Sequence, residues 1–173
     1  MTTSSTTTIA RVLRVSLSGL VVWVLAACMG IPERIEVGTP RTEIEERLGF
    51  PTAEYALPEG RRLQYSRQPG GQQVYNLDLD ASGRLRRLEQ VMDINWLQRH
   101  IAVDRWTRAD VLQNLGRPAL VERVVSFQGD VWTYRFLEAN SPRQVHLHID
   151  PEGVVRRLMF TDELMRDDPP DRL

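Results

Sequence analysis

His146 and His148 have the spacing in this chain most open to chemistry. They stand two residues apart in Gln144-Val145-His146-Leu147-His148-Ile149-Asp150, where apolar and polar residues alternate. On a β-strand that alternation puts both imidazoles on one side, a spacing compatible with two ligands of one metal ion. A third ligand has to come from elsewhere, and Asp78, in a similarly alternating segment, is the candidate. The polar face of a half-buried sheet explains the same pair more simply, so no metal and no other cofactor is expected. No serine sits in a nucleophile-elbow pattern, and no glycine run fits a phosphate loop. The arginine pairs Arg61-Arg62, Arg86-Arg87 and Arg156-Arg157 could meet anionic headgroups or an acidic partner, though solvated strand ends account for them as well. These residues suit a binding protein better than an enzyme.

Charge narrows the partners. The 173 residues hold 22 basic and 23 acidic side chains, a net of -1, and every basic one is arginine. Arg11 and Arg14 are the only charges in residues 1–27, so the remainder keeps 20 basic against 23 acidic residues, or -3. That balance is no footprint for nucleic acid. A single cysteine, Cys28, excludes internal disulfides and cysteine-based zinc sites.

The elements that must position these residues come in two copies. Thr39 to Pro51 reads TPRTEIEERLGFP, and 67 residues later Trp106 to Pro118 reads WTRADVLQNLGRP. Thr39 and Thr107 are the expected helix caps, with Pro40 at the first helical position of one helix and Asp110 completing a capping box in the other. Ile44 with Leu48, and Val111 with Leu115, give each short helix one apolar stripe. Each ends at Leu-Gly-x-Pro, where glycine supplies a positive-φ cap and proline forbids another turn. Alternation then predicts strands over 61–67, 74–80 and 84–91, with 52–60 as a connection. In the second copy it predicts strands over 131–137 and 144–150, and the turn Asp150-Pro151-Glu152-Gly153 repeats Asp80-Ala81-Ser82-Gly83. Residues 94–102 carry Ile94, Leu97 and Ile101 at helical spacing and predict a linking helix.

The fold class expected is therefore α+β: a tandem of two units, 37–92 and 93–162, each with one or two short helices on a three-stranded antiparallel sheet. Residues 163–173 read as an acidic, proline-rich solvated tail. The exposed sheet faces are the expected docking surfaces for a protein partner. They carry Gln64, Asn76 and Asp78 in the first unit, and Thr133, His146 and His148 in the second.

The N-terminus is an address. A positive flank at Arg11 and Arg14, an apolar run from Val15 to Leu25 and the small residues Ala26 and Ala27 describe a secretory signal peptide over 1–27. Only 13 residues separate Arg14 from Cys28, short of the roughly 20 that span a membrane. Leu25-Ala26-Ala27-Cys28 is similar to a bacterial lipobox, which implies cleavage before Cys28, lipid on that residue and a lipidated tether over 28–36. Met29 in place of Asp implies, by the rule of that family of anchors, the outer membrane, with the protein facing the periplasm.

Lipobox, V-G-T into a Leu-Gly-x-Pro helix, Tyr65-Ser66-Arg67-Gln68-Pro69-Gly70-Gly71, an alternating strand and Asp-x-x-Gly together resemble the SmpA/OmlA (BamE-like) outer-membrane lipoprotein family. The resemblance implies a non-enzymatic scaffold or accessory factor in outer-membrane assembly or envelope integrity, its partners being envelope proteins such as the β-barrel assembly machine. Family members have one such unit and this chain has two. In that layout it is similar to tandem β-lactamase inhibitor proteins, which implies the alternative of an inhibitor or sequestering partner of a periplasmic enzyme.

Overall fold

A computed structural model of the chain describes residues 32–163. The signal segment, Cys28 with its lipobox, and the tail beyond Glu163 lie outside those residues. A 3-10 turn at Pro32–Arg34 leads into α1 (Arg41–Leu48), β1 (Ala53–Leu57), β2 (Gly60–Ser66), β3 (Val74–Leu79) and β4 (Leu85–Gln90). Then come α2 (Ile94–His100), α3 (Arg108–Leu115), β5 (Leu120–Glu122), β6 (Asp130–Glu138), β7 (Ser141–Ile149) and β8 (Val155–Asp162). The strands form two four-stranded antiparallel meanders, β1-β2-β3-β4 and β5-β6-β7-β8, so the fold is α+β.

Each sheet thus has four strands where alternation predicted three. The extra ones, β1 and β5, are first edge strands. β1 contains two alanines in five residues, and β5 is three residues long and wholly exposed. At five and three residues, both are too short for period-two alternation to stand out in sequence.

The repeat extends to individual hydrogen bonds. Arg41 N donates to Gly83 O at 2.9 Å, as Arg108 N does to Gly153 O at 2.8 Å. Leu85 N donates to Thr39 O at 2.9 Å, and Val155 N to Trp106 O at 2.8 Å. The third strand of each sheet shifts register at the same place, Asp78/Leu79 and His148/Ile149. Both helices stop at glycines of matching conformation: Gly49 at φ 78°, ψ -172° and Gly116 at φ 76°, ψ -162°. The terminal carbonyl of each glycine accepts from a tyrosine of the second strand, Tyr65 Oη at 3.0 Å and Tyr134 Oη at 2.7 Å.

The caps differ. Thr107 takes the Asp110 amide and completes the capping box. Thr39 does not cap α1: Pro40 holds the N-cap position without a side-chain bond, and Thr39 Oγ1 donates back to Glu36 O at 2.7 Å. Pro40 displaces the threonine by one position because its fixed φ suits the entry to the helix. The linking segment forms α2, capped by Asp93 accepting the Trp96 amide at 2.9 Å.

Two apolar cores result. The smaller holds Ile35, Ile44, Leu63, Tyr65, Tyr75, Leu77, Leu79 and Leu85 under the first sheet. The larger lies between α2, α3 and the second sheet, and it takes in Val74, Val91 and Met92 from the first unit. Trp96 is buried in it, with Trp106 packed edge-on at 6.4 Å. The first unit therefore lends part of its third strand and its exit to the second unit's core.

Candidate functional site

The polar face of the first sheet is buried, because the C-terminal end of α3 sits on it. Gln64, Asn76 and Asp78 are 1–2% exposed and Arg62 is 6% exposed. An α-helix ends with carbonyls that have no partner inside the helix, and here the other unit's side chains receive them. Tyr55 Oη donates to Leu112 O at 3.0 Å, Gln64 Nε2 to Gln113 O at 3.2 Å, and Asn76 Nδ2 to Asn114 O at 2.8 Å. Arg62 reaches the same helix end, with Nη1 2.9 Å from Asn114 Oδ1, so a cation meets the negative end of the helix dipole.

Asp78 anchors that arginine. Arg62 Nε and Nη2 donate to its two oxygens at 2.6 and 3.0 Å, and Arg87 Nη2 adds 2.7 Å from β4. Burial by itself would raise the Asp78 carboxyl; the hydrogen bonds from Arg62 and Arg87 outweigh it and hold the group below its usual value. On the neighbouring edge strand, Arg41 and Arg61 hold Glu54 down to about 2.

A second join lies at the open edge of β6. Because β5 ends the pairing at Thr133, the backbone of Arg135 faces no strand on that side. The Gln68 side chain fills the place of a peptide: its Nε2 donates to Arg135 O at 2.6 Å and its Oε1 accepts from Arg135 N at 3.3 Å. Arg135 Nη1 in turn donates to Pro69 O at 2.9 Å. The turn of the first unit thereby closes an edge of the second sheet.

These contacts correct the sequence reading of the sheet faces. Gln64, Asn76 and Asp78 form an internal seam and are not a free docking surface, since the end of α3, 38 to 49 residues away in sequence, covers them. On the second sheet Thr133 is 2% and His148 7% exposed, while His146 is half-buried. His146 is held between Thr133 Oγ1 and Thr161 Oγ1, each at 2.8 Å, and His148 lies under the edge of the Phe127 ring at 5.1 Å. Burial pushes both imidazoles down from their ordinary value, with Arg157 and His146 adding to the effect at His148. Asp78 is not brought to the two histidines, and among the described residues no group of three or more acidic, histidine or cysteine side chains could hold a metal. The arginine pairs are mostly engaged: Arg61 with Glu54, Arg86 with Glu59, Arg156 with Asp150 and Asp104.

Sequence reasoning missed Tyr55, Arg62, Gln68 and Asn114 as members of the seam. One signal was available. The first sheet's outer face carries arginine, glutamine, asparagine and aspartate, a set able to bond in both directions, where a solvated face needs no such match.

Against known proteins, no family model matches the chain and no curated protein matches it. Among solved structures, a DUF4309 family protein (YjgB) from Bacillus subtilis aligns over 72% of this chain and 78% of its own, at 12% identity and a TM-score of 0.31. That likeness is too distant to bear on fold or function. No helix of the described residues is long and apolar enough to cross a membrane.

Proposed function

We propose that this chain is a lipid-anchored envelope protein built of two SmpA/OmlA (BamE-like) units, and that it works by binding rather than catalysis. The observation that carries the reading is Leu25-Ala26-Ala27-Cys28 behind a positive flank and a short apolar run, with that cysteine the only one in the chain. Lipid on Cys28 holds the protein to the outer membrane, facing the periplasm, since each buried methylene contributes about 0.8 kcal/mol. The role is that of a scaffold or accessory factor in outer-membrane assembly or envelope integrity. The short helices, the antiparallel meanders and the twice-used Leu-Gly-x-Pro stop support the two-unit reading, with four strands in each sheet where that family's unit has three. The charged and polar groups of the seam are spent on one another, which favours binding over chemistry.

Metabolic labelling with a fatty acid tests the anchor. Wild-type protein should take up label and Cys28→Ser should not, because the thiol is the acceptor; equal label on both would overturn the reading. Cross-linking in intact envelopes, followed by pull-down, tests the role. Recovery of outer-membrane assembly components supports a scaffold, and recovery of a periplasmic enzyme at the same site would replace it with an inhibitor.

A further inference from the structure

One polar atom of the seam is not spent. Gln64 is 1% exposed, and its Nε2 donates to Asn76 Oδ1 at 3.1 Å and to Gln113 O at 3.2 Å, which fixes the amide with its oxygen on the other side. That oxygen, Gln64 Oε1, accepts from none of the described residues. A buried side chain usually has its polar atoms paired, so an open acceptor here calls for a reason. Gln64 Oε1 is not among the described polar atoms sealed from solvent without a partner, because it opens on a cleft.

The cleft lies where the two units meet and holds about 540 Å³, a size and a place common to ligand sites. Ala53, Tyr55, Gln64, Ser66, Leu112 and Arg117 line it. Gly116 keeps the floor open: a Cβ there would stand 2.8 Å from Gln64 Oε1 and 3.5 Å from Ser66 Cβ. Ser66 Oγ accepts from Gln68 N at 3.2 Å and donates to none of the described residues, so its proton has no partner. Arg117 follows Gly116 in the chain, is exposed and forms no ion pair with the described residues. Its guanidinium opposes the rise that burial gives the Tyr55 phenol, which puts the cation toward that ring. The neighbouring arginines are taken, Arg41 and Arg61 by Glu54 and Arg62 by Asp78.

A free cation, a free hydroxyl donor and a free carbonyl acceptor in one cleft suit a ligand with two unlike groups. Arginine and hydroxyl receive a carboxylate. The Gln64 oxygen needs an N–H and repels a plain anion. The end of a peptide carries both groups on one α-carbon, its carboxylate and the N–H of its last residue. We infer that this cleft captures the C-terminal residue of a peptide or protein partner, with its carboxylate on Arg117 and Ser66 and its last N–H on Gln64 Oε1. The residues before it have an edge to run along, since β1 pairs with no strand on its outer side. The inference rests on the reading of this chain as a binding protein and names its kind of partner. It makes no use of the lipid anchor, so labelling at Cys28 and binding at this cleft succeed or fail separately.

Titration with N-acetyltetraalanine, followed by amide NMR of isotope-labelled full-length protein in detergent, tests it. Shifts should gather at the Gln64 side-chain amide, Gly116 and Arg117, with a Kd of about 1 mM or tighter. Arg117→Gln, at an exposed position, should weaken binding at least about tenfold with thermal melting unchanged. Two changes in the peptide leave the protein untouched. Amidating its carboxylate removes the partner of Arg117, and replacing its last amide N–H by an ester oxygen removes the partner of Gln64. Each should weaken binding at least about tenfold, and sulfate should not compete. No shifts by about 10 mM peptide, equal binding of either altered peptide, or competition by sulfate at the same concentration would overturn the proposal. N-acetylalanine has the same end group but no chain to lie along β1, and it should bind more weakly. Equal binding would overturn a peptide as the source of that end group.

Discussion

Gly49→Ala and Gly116→Ala place the same methyl group at the same point of the repeat, yet they should differ in cost. Both glycines combine φ near +77° with extended ψ, a region that is essentially glycine-only, and strain there costs about 1–3 kcal/mol. At Gly49 an added Cβ meets nothing within 4 Å, so strain is the whole cost. At Gly116 it would lie 2.8 Å from Gln64 Oε1 and 3.3 Å from Gln64 Cδ. Gln64 is 1% exposed and donates to the α3 carbonyls, so it cannot swing aside freely. Moving it leaves buried polar atoms without partners, about 1–3 kcal/mol more. Gly116→Ala should therefore cost about 2–5 kcal/mol and Gly49→Ala about 1–3 kcal/mol. Urea unfolding followed by tryptophan fluorescence measures both, with unchanged slopes confirming that stability alone has moved. Adding Gln64→Ala to Gly116→Ala removes the clash but not the strain, so the double variant should fall short of additivity by about 1 kcal/mol. Equal costs at the two glycines, or strict additivity, would refute the account of the seam.

Two further outcomes concern its charges and histidines. Asp78→Ala strands the buried Arg62 guanidinium and should cost about 3–5 kcal/mol in the same unfolding assay, whereas Arg62→Met with Asp78→Leu should cost less than that single change. Asp78 is held below its usual value in the folded chain, so its contribution is present above about pH 4 and is lost as pH falls through the lower folded value; Asp78→Asn should flatten that acid limb. His146 and His148 are pushed down, so the unfolded chain takes up protons first: stability is full above about pH 6.5 and declines as pH falls through the folded values. Proton NMR should place both titrations below about 6.5, and stability that rises on acidification from pH 7 to 5 would contradict this.

What was legible in the sequence, and what was not, follows from the range of each interaction. The helices declared themselves because cap, stripe and stop all lie within about 13 residues, as in Thr107 to Pro118. The inner strands declared themselves because period-two alternation is local, and it paired Leu63 with Leu77 and Trp132 with Leu147 on the core sides. The edge strands β1 and β5 were hidden by their short length, five and three residues. The larger loss came at the sheet faces. Alternation tells which residues share a side and says nothing of what covers that side. Gln64 and His146 read alike as polar outward positions, yet one lies sealed under a helix end and the other is half-open. The difference between them is encoded at the facing partner, in Leu112 to Asn114 for the first sheet. Such information becomes readable only when the two copies are superposed. Once they are, Gln64 and Asn76 stand at the positions of Thr133 and His146, and only the first two have the amide donors that a helix end with open carbonyls requires.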